Sequence, residues 1–527
     1  QWGALKTAVL GMFYSNPDIP NAVEFSGDLN NFVSAHKYRI HSPSESLLDL
    51  IVNSIVPTSN RFQIGHLRQT ECRLPLPNKS LPDVPVYVST RDFIGSRTAM
   101  FGKTRLGKSN VVKLLAQSII ETTAATKSVG QLIFDTNGEY ANDNPQDDNT
   151  SLRSAYPSQC EVYALSKKSS TESKPLKLNF YERPEAVMPV IGALLRQDSK
   201  TTSAYVNSFA SVELPSIDDI NALPESDKCR AIRKLQIFWA ILWKAGFVVN
   251  DQQLRQLAPV STHAKKFDPG FSASNRALVY QNNVPTAPQT LENMSQEIEK
   301  FARYDRVTPL QSSSANKPLF DTDDQILLGF LVPKTGTGTA LLSPYRIYHD
   351  ADAGNCFVEI IDLLLNGKTV ILDLGNANPT VYKYFSDELS SQVFSKQVNR
   401  FSNNLLGDHF IQLYFKEAHN LFPRTNDPNT IYSRFAKEGA KYHIGMVYST
   451  QSPTTISSDL LAQTENFFIA HLSSSDDVNT LAKVNIAYES LKDDILIAKT
   501  PGYMRMLTRS HRFAVSVQAK RFSPLAK

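Results

Sequence analysis

The segment Gly102-Lys103-Thr104-Arg105-Leu106-Gly107-Lys108-Ser109 constrains this chain more than any other feature. It fits G-x-x-x-x-G-K-[ST] in full, and chance puts only on the order of 0.01 such matches in a chain of this length. The flanks agree. Thr98–Phe101 is a short apolar strand, and Asn110–Ile120 carries Val111, Leu114, Leu115 and Ile119 at helical spacing. A glycine-rich turn between strand and helix lets successive backbone N–H groups converge on a β-phosphate, and the helix N-terminus adds its partial positive charge. Lys108 is placed to reach the β- and γ-oxygens and Ser109 to ligate Mg²⁺, with Gly102 to Asn110 forming the cradle. The chain is expected to bind a nucleoside triphosphate.

Phosphoryl transfer to water needs a carboxylate that orients the water, usually at the end of a neighbouring strand. Ile411–Phe415 is such a strand and runs into Lys416-Glu417-Ala418-His419, which makes Glu417 the candidate. Gln131–Phe134 is another apolar strand and ends in Asp135. Asp135 fits two readings: a group holding metal or metal-bound water, or a turn aspartate bonding its own backbone in Asp135-Thr136-Asn137-Gly138. Val447-Tyr448-Ser449-Thr450-Gln451 ends a further strand, and Gln451 is a candidate γ-phosphate sensor.

Along the chain the pattern changes several times. Residues 1–95 read as short strands (Ala22–Ser26, His36–His41, Arg61–Thr70, Pro85–Ser89) around one helix at Ser46–Val56, a small β-barrel or sandwich. Residues 96–180 open a parallel α/β sheet and carry the glycine loop. Residues 181–345 read as a helical insertion. Residues 346–510 resume the sheet with Lys368–Leu374, His409–Phe415, His443–Ser449, Asn466–Leu472 and Asp494–Lys499, and a hairpin of Gly502–Leu507 with Arg512–Gln518 closes it. Residues 511–527 form a basic end. The fold class expected is α/β.

Composition narrows the alternatives. No apolar run reaches 18 residues, and the greasiest stretch, Ile237 to Val249, is broken by Lys244, which argues against a membrane span. Four scattered cysteines offer neither zinc spacing nor a disulfide framework, which points to a reducing cytoplasm. The chain has neither an initiator Met nor a leader pattern and is expected to begin inside a longer gene product. Net charge is only +4, yet from Ile495 onward there is no acidic residue beside Lys499, Arg505, Arg509, Arg512, Lys520, Arg521 and Lys527. That cluster reads either as a phosphate contact or as a solvated surface. Trp239 and Trp243 fit a helix core better than a base-stacking platform, and the ten histidines show no zinc-protease spacing.

These motifs together resemble the HerA-like ATPases of the HerA/FtsK group of P-loop DNA translocases. Gly102–Ser109 corresponds to Walker A, Leu413–Asn420 (LYFKEAHN) to Walker B, and Leu132–Tyr140 (LIFDTNGEY) to the element after the second strand. Glu438 to Gln451 (EGAKYHIGMVYSTQ) matches the stretch leading to the sensor glutamine. The resemblance implies a RecA-like P-loop ATPase core with an N-terminal β-barrel and a helical insertion. It also implies ATP and Mg²⁺ as cofactors, a homo-oligomer of hexameric form, double-stranded DNA in the pore, and a nuclease or other effector docked on the barrel. Similar bacterial proteins sit beside effector genes in antiphage defence.

Two residues depart from the pattern. Lys416 stands where the family usually carries an acidic residue that helps hold Mg²⁺, and a lysine cannot ligate a metal. Ala440 stands where the family has the arginine of E-G-R-K, a finger worth about 10³–10⁵ in rate. Lys441 and Arg434 are the candidates to act in trans instead, although a lysine offers a point charge and no planar fork. The departures keep two functions in view: an ATP-driven DNA motor, and a nucleotide-binding ring scaffold for an effector with weak hydrolysis.

Overall fold

The computed structural model describes residues 11–18, 23–27, 41, 43–68, 83–145, 149–165, 168–281, 283–312, 317–375, 379–424 and 430–523. The chain divides into two compact units, one of Gln1–Lys174, Ile360–Gly375 and Ser386–Lys527, the other of Pro175–Glu359 and Asn376–Phe385.

The first unit is built on strands. They are β1 (Met12–Ser15), β2 (Val23–Ser26), β3 (Arg61–Leu67), β4 (Pro85–Ser89), β5 (Arg97–Phe101), β6 (Val129–Asp135) and β7 (Cys160–Ala164). There follow β8 (Lys174–Pro175, where this unit ends), β9 (Thr369–Asp373), β10 (Phe410–Phe415), β11 (Ile444–Thr450), β12 (Asn466–Ile469), β13 (Tyr503–Leu507) and β14 (Val515–Ala519). All but β1 and β2 join one sheet, in the order β4-β3-β14-β13-β12-β5-β11-β10-β6-β9-β7-β8. From β12 to β7 every pairing is parallel. From β12 to β4 every pairing is antiparallel. The parallel strands are buried on both faces, which is why they read as near-continuous apolar runs in the sequence.

A buried polar chain helps set the register. Thr369 on β9 accepts from the Gln131 amide on β6 at 3.1 Å, and the Tyr414 hydroxyl on β10 donates to the same Gln131 side chain. A slip of one residue separates these partners and leaves them buried without hydrogen bonds. The helix Lys108–Thr123 packs beneath the sheet with Val111, Leu114, Leu115 and Ile119 fully buried.

The structure describes no N-terminal barrel among its residues. β3 pairs on one side with β4 and on the other with β14, so the Arg61–Leu67 strand extends the central sheet. β1 and β2 form a separate two-stranded antiparallel sheet, with Phe13 and Phe25 packed against Phe513. The strand expected at His36–His41 lies outside the described residues, apart from His41. Asp494–Lys499 is also not a strand: Lys492–Ile497 is a helix, and Arg505 donates to Asp494 at 2.6 Å and to its carbonyl at 2.8 Å.

The basic end is divided: Arg505 is spent inside the fold, whereas Lys499, Arg509, Arg512 and Arg521 are exposed. Arg505 is fully buried, with its guanidinium 4.3 Å from the Tyr503 ring centroid. Arg509 donates to Ser96, and the Lys520 ammonium lies 4.3 Å from the Phe62 ring centroid. A buried arginine paired with a carboxylate is a structural strut and offers nothing to a phosphate.

The second unit is mainly helical. Its long helix Glu225–Lys244 packs on the helices Leu291–Asp305 and Thr322–Leu331. Trp239 is wholly buried there and donates its indole N–H to the Tyr181 carbonyl at 3.0 Å, a core position. No described helix is long and apolar enough to cross a membrane.

Candidate nucleotide site

The parallel run carries the C-terminal ends of β5, β11, β10 and β6 to one edge, where open α/β sheets bind ligands. Register pairs Phe101 with Thr450, Phe415 with Tyr448 and Phe134 with Phe415. The residues just beyond these positions are therefore neighbours on that edge: Gly102, Gln451, Lys416 with Glu417, and Asp135. Sequence reasoning reached this set from strand ends alone. The interposed β11 between the P-loop strand and the Glu417 strand was not readable from local pattern.

The loop itself needs its glycines. Gly102 has φ 153°, and a Cβ there meets the Ala470 Cβ at 2.7 Å. Gly107, which caps the following helix, is left-handed at φ 90°, ψ 13°. The Lys108 ammonium folds back onto the carbonyls of Gly102 and Lys103 at 2.5 and 2.8 Å. Burial pushes its pKa down to about 8, with Glu417 and Glu139 pulling it up and Lys416 and Lys103 pushing it further down.

That shift has a testable sign. A lysine whose pKa is lowered loses its charge as pH rises through the new value, and with it the attraction for phosphate. ATP affinity is expected to fall above pH 8, by roughly tenfold per unit at the steepest. Equilibrium titrations on either side of that pH check it. Lys108→Arg, charged throughout, flattens the profile while weakening binding at every pH.

Glu417 leaves β10 in the left-handed region at φ 50°, ψ 49°, a strained conformation for a glutamate. Its carboxylate lies 3.6 Å from His419 Nδ1, and that nitrogen is 3.2 Å from the Thr450 hydroxyl. His419 thus links the end of β10 to Thr450 at the end of β11, the residue before Gln451. Arg434 rests 4.2 Å from the Phe394 ring centroid with Glu438 at 3.7 Å. Lys441 lies 5.0 and 5.3 Å from the Phe401 and Tyr442 rings.

Asp135 adopts the turn arrangement. It is fully buried; Oδ1 accepts from the Glu139 N–H at 3.0 Å, and Oδ2 accepts from Tyr140 at 2.8 Å and Ala141 at 3.2 Å. Burial raises its pKa to about 6, against the pull of the Tyr140 and Ala141 N–H groups. A carboxylate so engaged is a loop anchor and is not set up to take a metal.

What that anchor holds in place is Glu139, a site residue the strand-end reading passed over because it lies beyond the turn. Lys416 Nζ is 2.8 Å from Glu139 Oε1, Ser109 lies near enough to help lower the Glu139 pKa, and Glu139 Oε2 is buried without a hydrogen-bond partner. Burial pushes the Glu139 pKa up, but Lys416 and Ser109 outweigh it and hold the carboxyl below its usual range. Only the co-occurrence of Lys416 with an acidic residue after a turn hinted at this pair. No group of three or more His, Cys, Asp or Glu that could hold a metal exists among the described residues. With Asp135 committed to its loop, the pairing of Ser109 with Asp135 expected to hold Mg²⁺ does not form; the oxygen left beside Ser109 is the unpartnered Glu139 Oε2, with the Lys416 ammonium on the other oxygen of the same carboxylate.

Residues 62–221 match the family model described as Helicase HerA, central domain. This segment is HerA-like. It contains the P-loop, β6 and the Asp135–Tyr140 turn; the Leu413–Asn420 and Glu438 to Gln451 stretches lie outside it. A search of curated proteins found no match. Among solved structures, the chain is similar to the bacterial conjugative coupling protein TrwBdeltaN70, with 11% identity, TM-score 0.37, and 88% of this chain and 96% of that one covered. It is similar to VirB4 of Thermoanaerobacter pseudethanolicus, with 12% identity, TM-score 0.36, and 89% and 98% covered. The genome packaging NTPase B204 from Sulfolobus turreted icosahedral virus 2, solved with AMP, has 11% identity and TM-score 0.22 over 30% of this chain and 68% of that one. At such low scores these likenesses carry no inference about activity.

Proposed function

We propose that this chain is an ATPase that drives translocation along double-stranded DNA as a homo-oligomer, of hexameric form, in company with an effector such as a nuclease. One observation carries the reading: a P-loop and Glu417 share the edge of a parallel sheet, with β11 and Gln451 between them. In this reading Lys108 draws in the β- and γ-phosphate oxygens. Glu417 orients the attacking water and accepts its proton, and Gln451 contacts the γ-phosphate. Arg434 and Lys441 are the cations available to a neighbouring protomer. The HerA-like segment supports DNA as the track. The compartment is a reducing cytoplasm, and the setting DNA end processing or antiphage defence.

The test is steady-state ATP hydrolysis with and without linear duplex DNA, with Lys108→Ala as the blank. DNA-stimulated turnover that disappears in the variant is expected. No turnover above the blank, despite measurable ATP binding, would sink the motor.

The Lys416–Glu139 pair favours a second reading, in which the nucleotide orders a ring that assembles an effector and hydrolysis is weak. Its signature is ATP-dependent oligomerisation without DNA-stimulated turnover, measured by analytical ultracentrifugation.

A further inference from the structure

We infer that the Lys416 ammonium takes over the charge-neutralising part of a divalent cation, so that this site binds nucleoside triphosphate without one. The inference rests on the nucleotide-site reading above. In P-loop proteins the loop Ser or Thr and a strand-end Asp hold Mg²⁺ between them, and the ion offsets the charge on the β- and γ-phosphates. Here the strand-end position carries Lys416, and the acidic group that stands beside it is Glu139. Glu139 is in turn paired with Lys416 at 2.8 Å.

The pair is built in. The Lys416 side chain is 10% exposed and that of Glu139 27%, so solvent screens their attraction only in part. Lys416 ends β10 two strands from the P-loop strand β5, close enough to Lys108 to help depress its protonation, so the two ammonium groups repel each other in the free protein. That repulsion has no use in an empty site and is relieved when a polyphosphate enters. A dication beside Ser109 would add to it. Glu139 then acts as the counter-ion that holds the Lys416 ammonium at the strand-end edge, and the Asp135 turn positions Glu139 through its backbone N–H.

The experiment is an equilibrium titration of the full chain with ATP by calorimetry, in excess Mg²⁺ and in EDTA. Wild type is expected to bind in both with nearly equal affinity. Lys416→Met keeps the stem and removes the charge. It is expected to lose roughly 10- to 100-fold in EDTA, the worth of a charge-assisted contact, and to recover much of that with Mg²⁺, because Glu139 is released to take the ion. A wild-type affinity that drops tenfold or more on chelation overturns the proposal and makes Glu139 a cation ligand. Lys416→Met binding as tightly as wild type in EDTA overturns it too. Failure of the nucleotide-site reading looks different: wild type then binds no better than Lys108→Ala in either buffer. The wild-type comparison needs no variant, so a misfolded Lys416→Met does not remove the test.

Discussion

Glu417→Gln lowers steady-state ATP hydrolysis by about 10²- to 10⁴-fold, the contribution of a positioned general base, and leaves ATP affinity close to that of wild type. The glutamine keeps the size and the hydrogen-bonding reach of the side chain but cannot accept the proton of the attacking water. Ground-state binding is unaffected to first order because Glu417 bonds to none of the P-loop groups that hold the phosphates; it interacts with Lys108 only through its charge. Losing that charge shifts the Lys108 pKa further down, so a modest weakening above neutral pH accompanies the loss of turnover. Single-turnover hydrolysis together with a binding titration separates the two effects. A variant that hydrolyses ATP at the wild-type rate would remove Glu417 from the role of base.

The second large effect concerns stability. Asp135→Ala leaves the buried N–H groups of Tyr140 and Ala141, and the half-buried one of Glu139, without their acceptor. Each orphaned donor costs of order 1–3 kcal/mol, so the unit holding the P-loop is expected to lose about 3 kcal/mol or more. For a unit of this size that lowers Tm by roughly 4 °C or more in a calorimetric scan. Asp135→Asn, which keeps one acceptor, falls between. The pH dependence has a definite sign. Because burial raises the folded-state pKa of Asp135 from 3.8 to about 6, the folded protein holds that proton more tightly than the unfolded chain. The stability this contributes is fully present below pH 3.8 and is lost as pH rises through 6. Wild type should therefore gain on Asp135→Asn as the pH is lowered across that window. An unchanged Tm in Asp135→Ala would mean that the turn is held by something other than this carboxylate.

The Asp135 effect reaches Glu139. The Asp135 turn places it, Lys416 pairs with it, and Ser109 of the phosphate loop lies near enough to help lower its pKa. A perturbation of the turn therefore reaches the nucleotide pocket without touching the P-loop. The ATP affinity of Asp135→Asn, measured beside its melting curve, reports how strongly the two are joined.

By itself the sequence determined the elements whose signal is local. The glycine spacing of Gly102–Ser109 demands a strand before and a helix after, and β5 and Lys108–Thr123 stand there. The apolar runs of β6, β9, β10, β11 and β12 are continuous because parallel strands are covered on both faces, and that covering writes itself into composition. β7 escaped notice because Cys160-Glu161-Val162-Tyr163-Ala164 is short and carries a charge.

Tertiary structure alone decided what joins to what. Arg61–Leu67 has the pattern of a barrel strand and of a sheet extension equally, and only its pairing with β14 selects the second. Arg505 looks like a free surface cation until Asp494 and Tyr503 close around it. Lys416 reads as a damaged metal site in isolation and as half of an ion pair once β6 and β10 lie side by side. Periodicity records which face of an element is buried, whereas the identity of its neighbour depends on residues far away in the chain, and that information exists only in the folded register.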